Sequence, residues 1–295
     1  MDAEIPFNLD DAPHEILVPE RQTLPLVFAS PHSGSNYRPE FLAASRLDPL
    51  ELRRSEDSFV DELFAWAPRL GAPLIRALFP RAFIDANREP FELDPGMFED
   101  KLPSYANTLS PRVAAGLGTI ARVVANGADI YRGKLCFEEA LRRLRRYYWP
   151  YHRALAGLVE RTRCDFGCCI LIDCHSMPSV GGPRDRDRGH NRVDFVLGDC
   201  HGRACAPVVM EVAEATLREL GYHVARNTPY SGGFVTHHYG RPGENVHALQ
   251  IEINRALYMD ETRIQRAPAL AGLKEDLRVL IAALGGIKRT QMLAA

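Results

Sequence analysis

The stretch Ile170-Leu171-Ile172-Asp173-Cys174-His175-Ser176-Met177-Pro178 constrains the fold more than any other part of the chain. Cys168 to Ile172 is a short apolar run stopped by Ser176, Pro178 and the Gly181-Gly182 pair, the pattern of a central strand covered on both faces. A histidine leaving such a strand sits at the carboxyl edge of the sheet, where open α/β sheets bind ligands. Alternation puts Asp173 and His175 on one face and turns Cys174 to the other. Asp173 is thus placed to orient the imidazole, and Cys174 to pack. For a lone histidine, a core role satisfied by a local acceptor is the plainer explanation.

The histidine is not alone. Leu24 to Ala29 is a second apolar strand, and it runs into Ser30-Pro31-His32-Ser33-Gly34. Neighbouring parallel strands would bring His32 and His175 to one edge. The predicted class is α/β, a single domain over residues 1–295 with its core at about 22–284, built on a mixed, mostly parallel sheet flanked by helices.

Further elements follow from periodicity. Leu52, Phe59, Val60, Leu63 and Phe64 predict a helix over Leu50 to Leu70, closed by Pro68 and Gly71. It carries Glu56, Asp57, Asp61 and Glu62, and Ser55 is a candidate cap; an acidic first turn that favours the helix dipole explains these carboxylates without a function. Ala72 to Leu78 reads as a strand. Arg81, Asp85 and Asn87 then alternate along an extended segment closed by Arg88 before Pro90. An Asn-Arg pair suits recognition of a carboxylate, and a surface ion pair to Asp85 is the alternative. Residues 118–131 suggest a strand or short hairpin.

From Phe137 to Arg163 a long helix is predicted, with Leu141, Leu144, Tyr148, Tyr151, Leu155 and Leu158 on one stripe and Arg142, Arg143, Arg145 and Arg146 on its solvated face. Val193 to Gly198 is a strand, Pro207 to Leu220 a helix and Tyr222 to Ala225 a strand. The last strand, Ala248 to Asn254, sets Leu249, Ile251 and Ile253 against Gln250, Glu252 and Asn254. A carboxylate inside such a strand is costly without a partner, so Glu252 is either functional or paired with a buried cation such as Arg255. Thr262 to Leu284 closes the chain as a helix. Two glycine-rich loops, Gly181 to His190 and Tyr230 to His237, have the composition of site covers.

A net charge of −2 and a pI near 6.6 give no footprint for nucleic acid or an anionic membrane, so a small-molecule substrate is expected. No apolar run reaches membrane-spanning length, and Met1 to Glu20 is acidic and lacks a secretory pattern, which leads us to expect a cytoplasmic protein. Seven cysteines without a C-x-x-C spacing fit reduced thiols rather than a disulfide framework. Two strand-end histidines, a carboxylate-rich helix start, an Asn-Arg pair and a strand glutamate together suit a mononuclear zinc hydrolase. Such an enzyme holds one zinc through three N or O ligands, keeps a water at the fourth position, and uses a glutamate to move its proton.

The runs Ser30-Pro31-His32-Ser33-Gly34, Asp85-Ala86-Asn87-Arg88, Asp173-Cys174-His175-Ser176-Met177-Pro178, Tyr230-Ser231-Gly232-Gly233, His238-Tyr239-Gly240 and Leu249-Gln250-Ile251-Glu252-Ile253-Asn254-Arg255, in that order, resemble the N-formylglutamate amidohydrolases. The resemblance implies a fold like the zinc carboxypeptidases and aspartoacylases and removal of formate from N-formyl-L-glutamate, with histidine breakdown as the pathway. It implies His32 and His175 as zinc ligands, Glu252 as the general base, and Asn87 with Arg88 as the clamp on the substrate carboxylate. The carboxypeptidase pattern would put the third ligand at position 35, where this chain has Ser35. Asp57 is expected to take its place, with Glu56 and then Asp61 as alternatives. Arg241 or Arg81 is expected to stabilise the oxyanion, and Arg81, Gly232, Gly233 and His238 to line the substrate site; Ser231 stands where a lysine would be expected. Another N-acyl amino acid is the alternative substrate. A cysteine hydrolase built on Cys174 and a non-catalytic amino-acid-binding protein are the alternatives of other classes. No oligomeric state is implied.

Overall fold

The computed structural model describes residues 12–182, 185 and 187–293. The acidic stretch up to residue 11, and Pro183, Arg184 and Arg186 of the charged loop, lie outside the described residues. Strands β1 (His14–Leu17), β2 (Leu26–Ser30), β3 (Leu74–Ala77), β4 (Cys169–Met177), β5 (Phe195–Gly198), β6 (Val224–Arg226) and β7 (Val246–Asn254) form a seven-stranded sheet in the order β1-β3-β2-β4-β7-β5-β6. Pairing is parallel for β3-β2, β2-β4, β4-β7 and β5-β6, and antiparallel for β1-β3 and β7-β5. The expected mixed, mostly parallel α/β sheet is therefore present. The half-buried edge strand β1, enclosed by Pro13 and Pro19, is too short and too evenly covered to reveal itself by alternation.

The helices are α1 (Pro39–Ala44), α2 (Pro49–Arg53), α3 (Val60–Leu63), α4 (Trp66–Leu70), α5 (Pro111–Ala114), α6 (Phe137–Arg143), α7 (Trp149–Phe166), α8 (Pro207–Glu219), α9 (Phe234–Tyr239) and α10 (Leu270–Gly285). On one sheet face Val27, Ala29, Leu171 and Ala248 meet Tyr151, Leu155 and Leu158 of α7. On the other, Phe28, Ile172, Cys174, Leu249 and Ile251 meet α8 and α10 through Val209, Ala213, Leu217, Leu277 and Ile281. The strands read as continuous apolar runs because both faces are covered. Toward the carboxyl ends of β4 and β7 the first face changes character, from Leu171 and Ala248 to Asp173, His175, Gln250 and Glu252. The site begins at that change.

Several expected elements differ. The helix over 50–70 is broken into α2, α3 and α4: Phe59 adopts a left-handed φ of 68°, and the Asp57 N–H donates to the His32 carbonyl (3.0 Å) instead of continuing a helix. Residues 81–88 are turns rather than an extended segment, and 118–131 holds isolated bridges, Val123 with Asp129 and Tyr131 with Ser45, instead of a strand. The long helix exists, but Leu144–Tyr148 between α6 and α7 is a π segment. Pro150 has no N–H for the Arg146 carbonyl, and the ladder shifts to the wider register. Arg143, expected on the solvated face, is buried; its guanidinium lies 4.1 Å from the Phe83 ring centroid and donates to the Phe83 carbonyl and the Tyr131 hydroxyl. The closing helix starts at Leu270 rather than Thr262, after a small ladder of Met259–Asp260 with Gln265–Arg266. No helix among the described residues is long and apolar enough to cross a membrane.

Candidate active site

His32 lies two residues beyond β2, and His175 lies within β4, which extends past the histidine to Met177. Because β2 and β4 are parallel neighbours with Ala29 opposite Asp173, the two rings meet at the sheet's carboxyl edge, 4.8 Å between centroids. In the next strand Glu252 is the register partner of His175. Three adjacent parallel strands thus deliver His32, His175 and Glu252 to one place.

The third member comes from the broken helix. Asp57 Oδ2 lies 3.3 Å from His32 Nδ1 and 2.9 Å from His175 Nδ1, and one ligand atom from each of the three residues falls within 4.8 Å of the others. The Nε2 atoms are held from behind, His32 by Asp85 Oδ1 at 2.7 Å and His175 by Asp173 Oδ1 at 2.8 Å. A carboxylate behind each ring fixes its orientation and presents Nδ1 forward, as hydrogen-bonded carboxylates do for metal-binding histidines. All three residues are buried. This donor set, two imidazole nitrogens and one carboxylate, fits a zinc ion with a coordination position left for water.

Electrostatics point the same way. Burial works against the charged form of Asp57, but hydrogen bonds from His175 and His32 override it and hold the carboxyl well below its usual range. Asp85 is likewise held low against burial by Arg88, His32 and Arg81. Burial opposes a charged His175, yet Asp173 and Asp57 raise it well above an ordinary histidine. The negative field that the carboxylates set up around the two imidazoles is suited to a metal cation.

The alternatives for the third ligand are turned elsewhere. Glu56 accepts from Tyr37 (2.8 Å), Ser58 (2.6 Å) and Arg53 (3.1 Å), and Asp61 accepts from Arg76 (2.5 Å). Asp85, read from sequence as a surface ion-pair partner, is buried behind His32. Only its spacing from Arg81, four residues earlier, hinted at the pairing that the structure contains (3.0 Å).

A cavity of about 270 Å³ opens over this group and is lined by, among others, Arg81, Asn87, Arg88, Gly232, Gly233 and Glu252. Asn87 Oδ1 accepts from the Val235 N–H (2.7 Å), which directs its Nδ2 toward His175 Nε2 (2.9 Å) and Asp173 Oδ2 (3.4 Å). Gly233 must be glycine, since a Cβ there would sit 2.4 Å from Asn87 Nδ2; its N–H donates to Gln250 Oε1 (2.6 Å). Gly232 has a φ of 123° and packs on Cys200 and Thr236. Arg88 donates through Nε to the Leu117 carbonyl (2.9 Å) and through Nη1 to the Asn87 carbonyl (2.7 Å), and its Nη2 stands 3.7 Å from Asp85. Glu252 accepts from Gln250 Nε2 (2.8 Å), and burial pushes its carboxyl up to about 7.

Two expected site residues lie elsewhere. Arg241 is exposed, pairs with Glu244 (3.2 Å), and lines a different surface groove with Trp149 and His152. His238 follows Phe234 by one helical turn in α9 and stacks on it (4.9 Å), which aims it into that groove. Cys174 faces the opposite core; burial pushes its thiol well above the ordinary range, and it donates to the Ile172 carbonyl (3.5 Å), so the thiol of the cysteine-hydrolase alternative is turned away from the site. Arg255, expected from sequence as a buried partner of Glu252, lies against Asp57. Its Nη2 donates to Asp57 Oδ1 (3.0 Å) and the Glu56 carbonyl (2.6 Å), and its Nε to Ser176 (3.1 Å). The buried cation expected for Glu252 serves Asp57 instead.

Residues 24–259 match the family described as N-formylglutamate amidohydrolase. The chain is 30% identical over 250 residues to the N-formylglutamate deformylase of Pseudomonas aeruginosa, covering 84% of this chain and 86% of that protein, and 32% identical over 245 residues to that of Pseudomonas putida, covering 81% and 83%. The crystal structure of N-formylglutamate amidohydrolase from Ralstonia eutropha JMP134 superposes with a TM-score of 0.84 at 38% identity, covering 93% of this chain and 97% of that one. The Agrobacterium tumefaciens protein Atu2144 shares the fold at 17% identity and a TM-score of 0.56, over 94% and 96% of the two chains.

Proposed function

The chain belongs to the N-formylglutamate amidohydrolase family, and from that premise we propose that it hydrolyses the formamide of N-formyl-L-glutamate to formate and L-glutamate, with one zinc ion held by His32, Asp57 and His175. The observation that carries this reading is the convergence of the two Nδ1 atoms and the Asp57 carboxylate beside Glu252, in the buried part of one cavity lined by arginines. When bound, zinc supplies Lewis acidity, lowering the pKa of its water to about 7 and polarising the formyl oxygen.

The chain's own residues divide the remaining work. Glu252 takes the proton from the attacking water and returns it to the departing α-amino nitrogen; a carboxyl at about 7 is suited to both directions near neutrality. Gln250 holds one oxygen of Glu252 and leaves the other for the water. Arg81 lines the cavity with Nε committed to Asp85, while its Nη groups make no hydrogen bond among the described residues, so it takes the oxyanion role. Arg88 holds the substrate α-carboxylate through Nη2, and Asn87 shapes the wall from which it reaches. Asp85 and Asp173 keep the two imidazoles aimed.

The seven cysteines are all free, which suits a reducing compartment; the cytoplasm is the proposed location, and histidine breakdown the proposed pathway. The test of the substrate is direct. Purified protein supplied with zinc should release formate from N-formyl-L-glutamate and far less from N-formyl derivatives of neutral amino acids. Hydrolysis confined to a different acyl group would move the assignment to another N-acyl amino acid.

A further inference from the structure

Besides Arg255, which holds Asp57, the cavity is lined by three arginines, Arg81, Arg88 and Arg112. Their shared carboxylate is Asp85, which pairs with Arg81 (3.0 Å) and stands 3.7 Å from Arg88 while its other oxygen serves His32 (2.7 Å). Arg112 has no such partner: its guanidinium makes no ion pair or hydrogen bond among the described residues. Asp185, also on the cavity wall, is taken by Arg192 (2.6 Å). The cations are close enough to feel one another, since Arg112 and Arg81 add to burial in pulling Arg88 down to about 10.

The arginines are also ordered by depth. Arg88 is 4% exposed and sits over Leu117, whereas Arg112, in α5 behind the Ser110 cap, is exposed at the mouth. The same cavity has apolar lining from Leu117, Ala121 and Val123. A buried cation, an exposed cation and apolar lining in one cavity suit an N-acyl amino acid with an α-carboxylate next to the scissile amide, a short methylene chain, and a second carboxylate at its end. We propose that Arg112 is a specificity-determining residue that pairs with the side-chain carboxylate of the substrate, so that the cavity selects acidic over neutral N-acyl amino acids. This rests on the function proposed above. A neutral side chain would leave the outer cation without its counter-ion, and selection would follow from that difference.

The test compares N-formyl-L-glutamate with N-formyl-L-glutamine in wild type, Arg112→Gln and Arg112→Lys. The Gln variant should raise KM for the acidic substrate about 10- to 100-fold, the range of one charge-assisted contact, with kcat little changed and the amide substrate unaffected; Lys should restore part of the loss. Equal effects on both substrates, or none on the acidic one, would overturn the inference. Should wild type hydrolyse neither compound, the proposed function fails separately, and calorimetric binding of glutarate and pentanoate then decides. Glutarate preferred by wild type and not by Arg112→Gln upholds the role of Arg112; no glutarate preference in wild type overturns it.

Discussion

Arg255 holds the Asp57 carboxylate across 198 residues of sequence, with Nη2 3.0 Å from Oδ1, and so leaves Oδ2 facing the two histidines. The same guanidinium grips the Glu56 and Arg54 carbonyls, and thereby the whole turn that presents Asp57. A short loop that left its helix is given a fixed position by a residue just beyond the last strand.

Removing that grip should weaken the metal site. Arg255→Met leaves Asp57 buried beside the histidines without its cation, at a cost of about 3 to 5 kcal/mol. The expected result is a lower melting temperature for the apoprotein and weaker zinc binding in a chelator competition, with Arg255→Lys intermediate. Unchanged zinc affinity in a folded Met variant would remove the positioning role.

Glu252→Gln should separate chemistry from metal binding. The amide preserves shape and the contact with Gln250 but cannot accept a proton, so kcat should fall by about 10²- to 10⁴-fold while bound zinc stays at wild-type content. Retained turnover would move the base elsewhere.

Asp85→Asn tests the support behind His32. The amide keeps the size but loses the charge that sets the ring's proton, and zinc affinity should drop about 10- to 100-fold by equilibrium dialysis. An affinity equal to wild type would show that orientation alone suffices.

His152 predicts a pH effect on stability away from the metal. It is buried between the Ala86 carbonyl (2.9 Å) and the Tyr239 hydroxyl (3.0 Å), and burial lowers it from 6.5 to about 4. A folded pKa below the unfolded one means the unfolded chain binds the extra proton, so this contribution is intact above pH 6.5 and lost as pH falls toward 4. Between pH 7 and pH 4.5 it should remove about 2 kcal/mol. In urea titrations, His152→Gln, which cannot gain that proton, should lose correspondingly less stability over the interval. Equal losses would contradict the assignment.

The legible parts of the site were those written in strand alternation. Asp173, His175 and Glu252 follow from the period of two in β4 and β7, and His32 from the apolar run before it. Asp57 was harder, because its place depends on the left-handed Phe59 and on Arg255, neither of which leaves a local signal. Sequence proximity to the glycine-rich loop misled for His238 and Arg241: α9 begins directly after Gly233 and carries both away from the cavity. Arg143 misled in the opposite sense, since a basic run looks solvated until Phe83 and Tyr131 close over one of its members.

We propose that His32, Asp57 and His175 hold a catalytic zinc. The most direct test is metal content by elemental analysis of wild type and His175→Ala, with formate release from N-formyl-L-glutamate measured on the same samples. The account predicts one zinc per chain in wild type and loss of both metal and formate release in the variant. A metal-free wild type that still releases formate would contradict it.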